Sequence, residues 1–66
     1  MTERRTDAAA HLAAADIAAL ASVTVDAVHQ WAKRHPEFRA LATETSAGLI
    51  WHRADVLDWL KRTGRL

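Results

Sequence analysis

The chain contains no cysteine and no tyrosine, and it has only one proline and two glycines in 66 residues. Without cysteine it can form neither a disulfide framework nor a thiolate metal site, which suits a reducing cytoplasm. Its main apolar stretch is mostly alanine and is interrupted by His11 and Asp16, so it is too weakly apolar for a signal sequence or a membrane span. We therefore expect a soluble, cytoplasmic protein that does not insert into a membrane.

Length limits the chain to a single small domain. A domain of this size buries only about 60% of its unfolded surface, so Trp31, Trp51 and Trp59 should supply much of the core. No enzyme cleft fits easily inside it, and we expect no catalytic residue. The four histidines show neither an i, i+4 pair nor a cysteine partner, so the sequence predicts no metal site and no cofactor.

Charge does not by itself indicate a partner. Nine Lys and Arg residues stand against eight Asp and Glu residues, a formal net charge of +1, which is far from the strongly basic balance of many nucleic-acid-binding proteins. A local basic face would be sufficient for such binding. We expect one if folding brings together the cations Lys33, Arg34, Arg39 and Arg53.

Residues 16–31 contain two short segments with helical spacing. Apolar residues recur at i, i+3 and i+4 in each segment, first at Ile17, Leu20 and Ala21 and then at Ala27, Val28 and Trp31. Between them, Thr24 can cap the second helix with its hydroxyl, and Asp26 places a negative charge near the positive end of that helix. The pattern predicts two helices joined by a turn of about three residues, which is the spacing of a helix-turn-helix motif.

The remaining elements are predicted from capping and periodicity. We expect a flexible tail over residues 1–6, and a first helix that begins either at Asp7 or only near Ala13. The second helix should end at His35-Pro36, because proline disfavours helical geometry in the residue before it. Alternating side chains over 39–43 and 49–52, around the turn-forming residues 45–48, predict a small hairpin.

A third helix is predicted over 53–62, followed by Gly64. The order helix, turn, helix, hairpin, helix predicts a mainly α domain with a small β-hairpin, spanning residues 7–66. That order is typical of a winged helix-turn-helix, in which the hairpin is the wing.

Three stretches carry a family resemblance: residues 12–31, residues 35–38 (His-Pro-Glu-Phe) and residues 48–60, where Asp55-Val56 precedes Trp59. Together they resemble the DNA-binding domain of MerR-type excisionases across roughly residues 12–62 of the chain. The resemblance implies that the second helix enters the major groove of double-stranded DNA and that the wing lies beside it. Small members of this family are phage and plasmid excisionases, which act with an integrase, and compact transcription regulators.

Base readout is expected from the outer face of the second helix. Gln30 can pair bidentately with adenine, Val25 can touch a thymine methyl, and His29 can donate to guanine or to a phosphate. Asp26 can accept from cytosine, although a carboxylate at a helix start needs no ligand to explain it. The complete expected set of DNA-contacting residues is Thr24, Val25, Asp26, His29, Gln30, Lys33, Arg34, Thr45, Ser46 and Arg53.

Two positions depart from the family pattern. Ala13 occupies the position of the customary Thr or Ser cap of the first helix, and the wing tip, often arginine-rich, contains Glu44 instead. We therefore expect the wing to contact DNA through Thr45, Ser46 and backbone amides, or to face a protein neighbour.

Two classes of function remain open. One is a sequence-specific DNA-binding protein, excisionase-like or regulatory, that binds repeated sites cooperatively by self-association and engages an integrase, a recombinase or RNA polymerase. The other is a protein-interaction module of the same fold, which binds a recombinase, a polymerase or a host factor.

Overall fold

A computed structural model of the protein describes residues 10–66. It contains four helices and a three-stranded antiparallel sheet in the order β1-β3-β2. The helices are α1 (Ala14–Ala21), α2 (Val25–Arg34), α3 (Pro36–Ala40) and α4 (Arg53–Arg62). The strands are β1 (His11–Leu12), β2 (Ala42–Thr45) and β3 (Gly48–His52). The predicted mainly helical layout with a hairpin is confirmed, and β1 adds a third strand to the hairpin.

The first helix begins at Ala14, so of the two predicted starts the later one is confirmed. Strand β1 interrupts the alanine-rich run just before it, and Asp7 and the predicted 1–6 tail lie outside the described residues. Ala13 has no side-chain acceptor and cannot cap the helix, but Oδ2 of Asp16 accepts a hydrogen bond from the Ala13 N–H at 2.9 Å. That bond is one half of a capping box.

A tight connection joins α1 to α2. Ser22 adopts a left-handed conformation, φ 59°, and the N–H groups of Ser22 and Val23 donate to the carbonyl oxygens of Ala19 and Ala18 at 3.4 and 2.9 Å. This is a Schellman ending, which satisfies the last carbonyls of α1 and turns the chain sharply. The predicted cap on α2 is also present, because Oγ1 of Thr24 accepts a hydrogen bond from the Ala27 N–H at 3.1 Å.

The segment after α2 differs from the prediction. Helix α2 ends at Arg34 as expected, but residues 36–40 form the short helix α3, whereas 39–43 was predicted as a strand. Pro36 occupies the first turn of α3, where its fixed φ favours a helix start and its missing N–H costs nothing. Strand β2 therefore begins only at Ala42. The turn is also shorter than predicted, since only residues 46–47 separate β2 from β3.

The core lies between the helices and one face of the sheet. Trp51 and Trp59 are each 1% exposed, as predicted, while Trp31 is only partly buried and packs against Phe38 and Trp59. The indole N–H of Trp51 donates to the carbonyl oxygen of Phe38 at 3.0 Å, which ties β3 to α3. No polar or charged residue within 10–66 is buried. The core residues are Ile17, Ala18, Val28, Phe38, Trp51, Val56, Trp59 and Leu60.

Candidate functional site

Helix α2 presents a continuous exposed face. Val28 is its one buried residue, and Ala27, Trp31 and Ala32 are partly buried. Because residues three and four apart share a face of a helix, the opposite side carries the predicted groove-facing residues. Five of them are exposed and Gln30 is half-buried, so these six side chains lie on one accessible surface: Val25, Asp26, His29, Gln30, Lys33 and Arg34.

The charges on α2 are separated along its axis. Asp26 lies in the first turn, and Lys33 and Arg34 lie in the last turn, an arrangement that also complements the helix dipole. Neither cation forms an ion pair with any residue of 10–66. Their positive charge is therefore available to a ligand from solution, such as a phosphate.

The other expected cations are placed differently. Nη2 of Arg39 lies 4.0 Å from Oε1 of Glu44, so the Glu44 carboxylate in β2 offsets the charge of Arg39. Arg53 is exposed at the first position of α4 and has no ion-pair partner in the described part of the chain. Lys33, Arg34 and Arg53 thus remain as the uncompensated members of the expected basic set.

The hairpin turn lies next to α2. A cavity of about 260 Å³ is bordered by His29 of α2 and also by residues of the turn and of the start of α1. Among residues 10–66, His29 is the one with an ionisable side chain at this cavity, and the other lining residues are Ala13, Ala14, Ala15, Ala47, Gly48, Leu49 and Trp51. His29, on the exposed face of α2, and the hairpin turn therefore border the same cavity.

The turn itself is held by Thr45. The Thr45 hydroxyl donates to the Gly48 carbonyl oxygen at 2.7 Å and accepts from the Ala47 N–H at 3.2 Å. Gly48 has φ 112°, a conformation that favours glycine. The Thr45 hydroxyl and the Ala47 N–H are thus used for hydrogen bonds inside the turn. Ser46, at the tip of the turn, is exposed and carries a hydroxyl.

Thr24 is placed beside this surface by its capping role. It directly precedes α2, is exposed, and uses its oxygen lone pairs for the cap. Its hydroxyl proton is not required by that bond and remains able to donate.

Sequence reasoning did not identify the start of α1 as part of this surface. Ala13, Ala14 and Ala15 border the same cavity as His29, but alanine carries no chemical signature that would single them out. The pairing of Ala13 with Asp16 three positions later was the one available signal for a helix start there.

No helix within residues 10–66 combines the length and apolar character needed to cross a bilayer. Comparisons with protein-family models, with curated proteins and with solved structures found no match to this chain. Its function is therefore inferred from its own residues.

Proposed function

We propose that the chain is a winged helix-turn-helix protein that binds double-stranded DNA, with α2 in the major groove and the β2–β3 hairpin as the wing. The observation that carries the proposal is the pair of uncompensated cations, Lys33 and Arg34, on the same exposed face of α2 as His29, which borders the cavity shared with the hairpin turn. A short helix with an exposed polar face and free cations is what a major groove admits.

Within this interface the residues divide by chemistry. Lys33, Arg34 and Arg53 bind phosphates and set affinity, because contacts to the DNA backbone carry no direct base information. Gln30 and His29 reach base edges and set sequence preference. The small size of the domain limits the protein surface buried on DNA to about 600–1,000 Å², so several copies bind cooperatively to repeated sites, as an excisionase or a compact regulator would.

The first test is selection from a random pool of duplexes near physiological salt, followed by sequencing of the retained DNA. We expect an enriched motif. Copies of the motif repeated at about one helical turn support an excisionase-like assembly, whereas a single or palindromic site supports a transcription regulator. No enrichment together with no retention of any duplex contradicts the proposal.

A matched pair of variants tests the role of α2. Lys33 and Lys61 are both exposed lysines in the last turn of a helix, on α2 and α4 respectively. Lys33→Ala should weaken binding about equally to all sequences and reduce the slope of log K against log salt by about one. Lys61→Ala removes the same charge from another helix and should leave the slope unchanged. If both variants reduced the slope equally, DNA would bind to a surface other than α2.

A second candidate function rests on the hairpin. Glu44, whose side chain is 79% exposed, pairs with Arg39 at 4.0 Å, so this part of the wing has no excess positive charge for phosphate and suits a protein partner instead. The test is capture of a recombinase, a polymerase or a host factor in the absence of DNA. Equal capture by the wild type and by the Lys33→Ala/Arg34→Ala double variant would favour this interaction module over DNA binding.

A further inference from the structure

A cation lies over the aromatic cluster at the end of α2. The guanidinium carbon of Arg65 is 5.2 Å from the ring centroid of Trp31, and the Trp59 ring contacts it as well. Nη2 of Arg65 also lies 3.3 Å from Nε2 of His35, the residue that follows α2. Arg65 is half-buried in this position. Three ring side chains therefore hold the guanidinium in place before any ligand arrives.

The positive charge of Arg65 is not neutralised within the described part of the chain. Arg65 forms no ion pair with a carboxylate of residues 10–66. Glu37 contacts the same rings, but its Oε2 accepts from the Trp59 indole N–H at 3.1 Å and lies 3.6 Å from Nδ1 of His35. A guanidinium carries five N–H donors and no acceptor, and the contact with His35 uses one of them. The remaining donors suit an oxyanion such as a phosphate.

Arg65 lies on the opposite flank of α2 from His29. Successive residues of an α-helix are about 100° apart around its axis, so Trp31, which Arg65 covers, is about 200° from His29. His29 borders the cavity shared with the hairpin turn, and the exposed Lys33 lies between these two directions. Arg34 is three residues after Trp31 and is its neighbour on the helix surface. The cationic surface of α2 therefore continues past Arg34 to Arg65.

We propose that Arg65 binds a phosphate of the DNA backbone on the side of the major groove away from the hairpin. The inference rests on the proposed function, in which α2 lies in that groove. The groove is about 12 Å wide and has a sugar-phosphate backbone along each edge, so a helix inside it has phosphates on both flanks. The hairpin turn lies at the flank of His29, and Arg65 lies at the other. Because the rings already hold Arg65, binding costs little side-chain entropy.

The salt dependence of DNA binding tests this contact. On the selected duplex, Arg65→Gln should lower the slope of log K against log salt by about 0.9, because one phosphate contact is lost. The affinity advantage of the wild type over this variant should therefore shrink about threefold between about 50 and 200 mM salt. Arg65→Lys keeps the charge and should retain the wild-type slope.

Lys61→Ala is the matched control. It removes a cation from the same end of α4, but Lys61 lies with Ala54 and Asp58 on the exposed face of that helix, whereas Arg65 packs on the buried Trp59 ring. We expect Lys61→Ala to leave the slope unchanged. A wild-type slope in Arg65→Gln would overturn the proposal even if binding weakened, because a merely structural role lowers affinity alike at every salt concentration.

Neutral methylphosphonate links, placed singly along the selected duplex, locate the contact. One link should weaken binding of the wild type but not of Arg65→Gln, and it should differ from the link to which Lys33→Ala is insensitive. Failure of the wild type to bind any duplex would contradict the proposed function itself. DNA binding with a reduced slope in Lys33→Ala and a wild-type slope in Arg65→Gln would overturn the Arg65 contact alone.

Discussion

The guanidinium carbon of Arg65 lies 4.7 Å from the centroid of the Trp59 ring and 5.2 Å from that of Trp31. The end of α4 produces this position. Gly64 is left-handed, φ 73°, and the Arg65 N–H returns to the Leu60 carbonyl oxygen at 2.8 Å, which is a second Schellman ending. The chain after α4 is thereby folded back over the aromatic cluster at the end of α2.

We expect Arg65→Ala to destabilise the protein. A cation over an aromatic face contributes about 0.5–1 kcal/mol when exposed and more when desolvated, and Arg65 is half-buried and also lies 3.3 Å from Nε2 of His35. The free energy of unfolding in urea should fall by about 1 kcal/mol. Arg53→Ala, at an exposed arginine without an ion-pair partner in residues 10–66, should change it by less than about 0.5 kcal/mol. An equal loss in both variants would refute a specific role for Arg65.

Glu37 gives stability a predictable pH dependence. Its own backbone N–H lowers the pKa of the Glu37 carboxyl, and the Trp59 indole N–H, 3.1 Å from Oε2, lowers it further, with smaller contributions from His35 and Arg62. Because the pKa is lower in the folded state, the stabilisation is complete above the usual glutamate pKa of 4.5 and is lost as the pH falls through the folded-state value.

The variant Glu37→Gln removes this proton-linked effect. Between about pH 6 and pH 3, the unfolding free energy of the wild type should fall more steeply than that of Glu37→Gln. Comparison of the two proteins isolates the effect of the Glu37 carboxyl, because they differ at that side chain alone. Parallel curves would show that Glu37 has the same pKa in the folded and unfolded chain.

Ser22→Gly should stabilise the protein. A non-glycine residue in the left-handed region costs roughly 1–2 kcal/mol, whereas glycine loses about 0.5–1 kcal/mol of additional chain entropy, so the net gain is about 0–1.5 kcal/mol. Ser46→Gly is the matched control, because Ser46 has no positive φ and gains nothing from the change. Thermal unfolding should show a higher Tm for Ser22→Gly but not for Ser46→Gly. A Tm of Ser22→Gly below that of the wild type would contradict the prediction.

If α2 binds DNA, Gln30→Ala should relax sequence preference at one base pair. Loss of a bidentate contact with adenine costs about 1–3 kcal/mol of discrimination at that position. The salt dependence of binding should stay as in the wild type, because no phosphate contact is removed. Competition between the selected duplex and a duplex changed at that position measures the effect. Unchanged discrimination together with weaker binding to every sequence would assign Gln30 to the DNA backbone.

Local signals predicted the helices that make up the candidate site. For α2, the spacing of Val28 and Trp31, the Thr24 cap and the stop at His35-Pro36 all agree, and the helix spans Val25–Arg34. For α4, apolar residues at 56, 59 and 60 with Gly64 after the last turn were sufficient. These features act within one or two turns of chain, so they can be read without knowledge of the fold.

The segment around Pro36 could not be predicted in the same way. An X-Pro step indicates the end of one helix, but it suits the first turn of another equally well. Burial of Phe38 and the hydrogen bond from Trp51 to its carbonyl oxygen hold α3 in place. These contacts join residues 13 positions apart, and no local pattern contains them.

The sequence alone determined the ends of α2 and α4 and the face that α2 leaves exposed, because caps, proline and helical periodicity are local properties of the chain. Only the tertiary structure decided what lies beside that face and which distant residues meet. Strand register placed His11 opposite His52, the short turn placed Ala47 and Gly48 near His29, and the Glu44 ion pair removed Arg39 from the uncompensated cations. Each of these depends on non-local pairing of backbone and side chains, which the order of residues does not display.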